Sequence, residues 1–75
     1  MNEMAENMRK ARKDAGLSRP QLAELSGVHS RTIAQWEQGI SSPTVTTCDI
    51  VAATLGLTID EYIHGKVEIV KKKRR

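Results

Sequence analysis

Five glycines, Gly16, Gly27, Gly39, Gly56 and Gly65, divide the chain into segments whose apolar residues recur at helical spacing. Glycine just past a helix end adopts the left-handed conformation without steric cost. The spacing therefore predicts five helices, each stopped by its own glycine: one over about 3–15, a second beginning at Ser18, and others over about 29–38, 44–55 and 59–64. The links between them are short, as in a compact all-α domain.

Each segment carries further helix chemistry. In the first, Met4, Met8, Ala11 and Ala15 share one face. The second starts with Ser18-Arg19-Pro20-Gln21, a capping box in which Pro20 falls where a helix needs no N–H donor. Leu22, Ala23 and Leu25 are its expected buried side. In the fourth, Thr44 is the expected N-cap, and Val45, Cys48, Val51, Ala52 and Leu55 form the apolar face. The fifth opens with a second capping box, Thr58 to Glu61, and offers Ile59, Tyr62 and Ile63 to the core.

Seventy-five residues allow one small domain. The single cysteine, Cys48, has no partner for an intrachain disulfide and lies on an apolar face, so packing is its expected role. It has no metal-ligand spacing with the two histidines, and no cofactor motif or paired-carboxylate catalytic pattern stands out, which argues against an enzyme. The N-terminal segment mixes charges and does not read as a signal peptide, and no run approaches a membrane span, so the expected location is cytoplasmic. The net charge of +3 is uneven: residues 1–65 carry six basic and eight acidic side chains, and their sum is −2. Attraction to a polyanion must then come from local arrangement or from the tail.

The segment Gly27–Gly39, GVHSRTIAQWEQG, concentrates the functional signal. The second and third segments, joined across Leu25-Ser26-Gly27-Val28, have the form of a helix-turn-helix. Ala23 must be small where the helices cross, Gly27 must accept positive φ, and Ile33 locks the third helix onto the second. At about 100° per residue, Thr32, Ile33, Trp36 and Ile40 fall on one side of the third segment. Ser30, Arg31, Ala34, Gln35 and Gln38 fall on the other, with Glu37 at the edge. A guanidinium can bond guanine O6 and N7 together, and a glutamine amide can do the same at adenine N6 and N7, so Arg31 and Gln35 suit base reading.

The run from Leu17 to Gly65, with Leu-Ser-x-x-x-Leu-Ala at 17–23, Gly27-Val28, Ile33, Trp36-Glu37, Gly39, Pro43 and Ala52-x-x-Leu55-Gly56, resembles the Cro/phage-repressor (XRE-type) helix-turn-helix family. The resemblance covers about residues 4–65 and implies a five-helix, lambda-repressor-like DNA-binding domain over 1–65. It further implies sequence-specific binding of double-stranded DNA, most simply as a dimeric transcriptional repressor on a pseudo-palindrome. By that likeness Ser30, Arg31 and Gln35 contact bases, while His29, Ala34 and Gln38 are further candidates. Arg19, Ser41, Ser42 and Thr44 would contact phosphates, and Arg12 would pair with Glu37. His29 departs from the pattern, where Ser or Thr usually caps.

Beyond Gly65 the pattern changes. KVEIV permits a short strand, and Lys71, Lys72, Lys73, Arg74 and Arg75 form a like-charge block. Such a block reads either as solvated coil or as a sequence-independent phosphate contact. A second function class stays open: an antitoxin or regulatory protein that binds a toxin or enzyme and autoregulates through its helix-turn-helix.

Overall fold

The computed structural model describes residues 3–65. Five helices follow one another: α1 Glu3–Asp14, α2 Arg19–Ser26, α3 Ser30–Glu37, α4 Val45–Thr54 and α5 Ile59–His64. No strand occurs among the described residues. The KVEIV and basic-block readings lie outside them.

The expected punctuation is present. Ser18 and Thr58 each accept a hydrogen bond from the N–H three residues on, and Gln21 and Glu61 accept in return from the cap N–H groups. The Thr44 hydroxyl caps α4 through Thr47 N–H at 3.3 Å. All five glycines have positive φ. At Gly27 the need is purely conformational: a Cβ there would meet nothing within 4 Å, but φ is +80°. An L side chain would be strained at that dihedral even with free space around it.

The helices close on one core of Met8, Leu22, Ile33, Trp36, Cys48, Val51, Ala52 and Tyr62, to which every helix contributes. In so small a domain no helix can bury its apolar stripe except against the others. Full burial of an aliphatic side chain contributes roughly 1.5–3 kcal/mol, so each helix adds a few kcal/mol and depends on its neighbours. Helix α1 packs on α3 and α5, and α2 on α3 and α4.

The observed faces differ from the expected ones at identifiable residues. In α1 the buried line is Ala5, Met8 and Arg12, with Met4 and Ala11 half-buried and Ala15 exposed. An arginine belongs to that line because its charge is paired inside the fold, which hydrophobic spacing does not register. Leu25 is 63% exposed. It sits about 60° to one side of Leu22, while the half-buried Ala23 and Ser26 lie on the other. Val45 is exposed although its wheel angle fits the core. It stands in the first turn of α4, and helical side chains lean toward the N-terminus, away from the packed neighbours. Ile40 is exposed because it follows Gly39, whose positive φ turns the chain away from the α3 axis.

Tyr62 is fully buried, and its hydroxyl has no hydrogen-bond partner among the described residues. An orphaned buried polar group costs about 1–3 kcal/mol. Tyr62→Phe is therefore expected to leave stability unchanged or raise it by up to ~1 kcal/mol, read by urea denaturation. A loss of more than ~1 kcal/mol would mean that the hydroxyl is bonded.

Burial pushes the Cys48 thiol up from its ordinary value, and nearby Asp49 adds to the effect. Burial likewise raises the Tyr62 phenol, with Glu37 contributing in the same direction. The folded state thus holds both protons after the unfolded chain has released them, so stability falls as pH rises through the unfolded values, ~8.5 for thiol and then ~10 for phenol. Melting temperatures are expected to decline from about pH 8.5 upward, and Cys48→Ala should remove the earlier part of that decline while lowering stability overall. A flat profile from pH 8 to 11 would contradict this.

Candidate nucleic-acid interface

Helices α2 and α3 are joined by a three-residue turn, 27–29. Gly27 N–H closes α2 on the Ala23 carbonyl at 2.8 Å, and Val28 N–H bonds the Ser26 hydroxyl at 3.2 Å. With these two N–H groups bonded to the end of α2, the turn sets the entry of α3. His29 then caps α3: its Nδ1 accepts from Arg31 N–H at 3.0 Å. A nitrogen that accepts carries no proton, so the neutral ring holds its proton on Nε2. The exposed His29 therefore caps the helix and presents an outward N–H donor at the same time.

Helix α3 has two faces. Ile33, Trp36 and Glu37 are buried. Opposite Ile33, Arg31, Gln35 and Gln38 fall within about 60° of one another. Arg31 and Gln38 are exposed, and Gln35 and Ala34 are half-buried. Ser30, also half-buried, stands at the edge of this arc, on the side of Glu37. Arg31 has no ion-pair partner among the described residues, unlike Arg12 and Arg19, so its guanidinium is available to a ligand.

Glu37 is an acid that spacing placed at the edge of the polar face. The fold turns it inward: its side chain is completely buried. Arg12 grips it with both ends of the guanidinium, Nε to Oε2 at 2.9 Å and Nη2 to Oε1 at 3.1 Å. The expected pair is present, and it is a buried one. Arg12 Nη1 also donates to the Leu17 carbonyl at 2.8 Å, tying α1 to the segment that leads into α2.

Three phosphate candidates have internal commitments, of which the sequence signalled only the Thr44 cap. Arg19 donates from Nε to Glu37 Oε1 at 3.0 Å. The Thr44 hydroxyl serves α4 and also lies 2.9 Å from the Thr47 hydroxyl. Ser41 N–H points to the Gln35 carbonyl at 3.4 Å. The Ser41 and Ser42 side chains are exposed. The α2 N-terminus has one open N–H, that of Arg19, since Pro20 has none and Ser18 takes that of Gln21. Another tie that no motif announces is Asn7 Nδ2 to the Ile63 carbonyl at 2.8 Å, joining α1 to the end of α5. The candidate tail residues Lys71–Arg75 lie outside the described residues.

A short glycine turn, a second helix with one face locked in the core and an acid-free polar face outside define a helix-turn-helix DNA-binding domain. A helix-turn-helix family model matches residues 8–62. The chain belongs to the Cro/phage-repressor, XRE-type helix-turn-helix family of DNA-binding transcription regulators. No curated protein and no solved structure matches it significantly. The family's partner is DNA and its fold is typically non-enzymatic. Among the described residues, no helix is long and apolar enough to cross a membrane.

The His29 cap makes a stability prediction. His29→Ala should cost ~0.5–2 kcal/mol, whereas His29→Asn should retain wild-type stability because asparagine caps well. Thermal unfolding followed by circular dichroism tests this, and equal stability of the alanine variant would show the cap to be energetically silent.

Proposed function

We propose that the protein is a sequence-specific repressor that binds double-stranded DNA as a dimer, with α3 in the major groove. The observation that carries this reading is the outward arc of α3, where Arg31, with no ion-pair partner among the described residues, stands beside Gln35 with no acid between them. Arg31 reads a guanine and Gln35 an adjacent adenine, the pairings their donor and acceptor geometry favours. Ser30, Ala34 and Gln38 border the same bases. His29 Nε2–H, Ser41, Ser42 and the outer side of Arg19 meet the flanking phosphates, which position the helix without reading sequence. Thr44 belongs to this set only through whatever its capping role leaves free. Lys71–Arg75 add sequence-independent attraction.

The dimer reading draws on exposed apolar side chains along the α3–α4 connection and α4, namely Ile40 at 67%, Val45 at 76% and Ile50 at 45% exposed. Ile59 packs against the core, as its place in the apolar face of α5 led one to expect, and is left out of this set. A two-fold dimer would place its recognition helices one DNA turn apart, about 34–36 Å.

Selection of bound duplexes from a random pool is expected to enrich a pseudo-palindrome with that half-site spacing. Enrichment of no motif would overturn the reading and favour the alternative, a regulatory partner of a toxin or enzyme. On the selected duplex, Arg31→Ala is expected to lose ~1–3 kcal/mol and to relax preference at one base pair in each half-site. Unchanged affinity and preference would remove Arg31 from base reading. Deleting residues 71–75 should weaken binding to selected and random duplexes alike and flatten the dependence on salt. An unchanged salt slope would exclude the tail from the contact.

A further inference from the structure

The Glu37 carboxylate holds two arginines that differ in what they have left to give. Arg12 uses Nε, Nη1 and Nη2 on protein acceptors, and its side chain is 9% exposed. It is a closed structural ion. Arg19 uses Nε alone, its side chain is 33% exposed, and its Nη1 and Nη2 have no protein partner among the described residues. Two guanidiniums around one carboxylate leave a net charge of +1. Arg12, gripping both oxygens, already neutralises Glu37. The surplus charge therefore sits on Arg19, at the outer end of the cluster.

We propose that Glu37 is a positioning residue for DNA binding: through the Arg19 Nε–H it aims the free Nη1 and Nη2 donors of Arg19 at one backbone phosphate beside the half-site. This rests on the DNA-binding reading and adds to it the device that sets the contact. The guanidinium is planar, so anchoring Nε fixes the plane and the direction of the two outer nitrogens. Arg19 is also the first residue of α2, where its own backbone N–H remains as a donor. The side chain is ordered when the domain folds and not when it meets DNA, so less entropy is lost on binding. A lysine of equal charge has no Nε–H fork and cannot be held this way. Because Glu37 ends α3, the phosphate contact and the recognition helix are set by the same carboxylate.

The experiment compares wild type, Arg19→Lys and Arg19→Ala on the duplex selected from the random pool, as a function of salt. Arg19→Ala is expected to reduce the slope of log K against log salt by about 0.9, the value for one phosphate. Arg19→Lys keeps the charge, yet should lose affinity by about 3- to 10-fold, because an unanchored ammonium orders on binding. An Arg19→Lys variant that binds like wild type overturns positioning while leaving DNA binding intact. Wild type that binds no duplex overturns both readings. Arginine Hε exchange in the free protein gives a readout independent of DNA: Hε of Arg19 should exchange more slowly than that of the exposed Arg31. Glu37→Gln should speed it if the variant folds, and equal exchange at Arg19 and Arg31 in wild type overturns the anchor.

Discussion

A single buried carboxylate organises this domain. Glu37 has no exposed side-chain surface, and an ionised group in that position is tolerated only with partners. Arg12 supplies a two-point grip from α1 and reaches the Leu17 carbonyl with its remaining nitrogen. The end of α3 is thereby fixed to α1 and to the chain entering α2. Removing one partner of such a pair costs about 3–5 kcal/mol, a large share of the ~5–15 kcal/mol that stabilises a typical domain. Much of that cost is the unpaired charge left behind, so the pair contributes more to a unique arrangement of α3 than to net stability.

The same interaction shapes the charge of the outer face of α3. Residues 1–65 are net acidic, which would oppose binding to a polyanion if the charges were spread evenly. Turning Glu37 inward removes the acid of α3 from the side that faces out. Arg31, Gln35 and Gln38 are left as a donor-rich arc, and Arg19 carries the uncompensated charge of the buried cluster. Trp36 and Ile33 hold the opposite face in the core. The direction in which α3 presents its polar side is thus set jointly by apolar packing and by a charge that must be buried with its partner.

Much of the fold was legible along the chain because local chemistry specifies it. Capping boxes at Ser18 and Thr58, the Thr44 cap and the glycine stops depend on residues within four positions of one another, and all appear where spacing put them. The buried faces were less legible. A helical wheel reports direction about one axis, but not how far neighbouring helices extend. It therefore misplaced Leu25, and Val45 beyond the packed end of α4, and it lost meaning for Ile40 past a positive-φ glycine. At the interface, residue type and the family likeness pointed to Arg31 and Gln35. They could not show that Arg19 is tied to Glu37, or that His29 caps through one nitrogen and presents the other.

The amino-acid sequence by itself determined the number of helices, their ends and the helix-turn-helix spacing, because each follows from short-range dihedral and hydrogen-bond preferences. Only the tertiary structure decided that Arg12 is a core residue, that Glu37 is hidden and that Arg19 joins them. Those outcomes depend on groups 18 and 25 positions apart in the chain meeting at hydrogen-bond distance. The free energy of a charge depends on what surrounds it, and no single segment contains those surroundings.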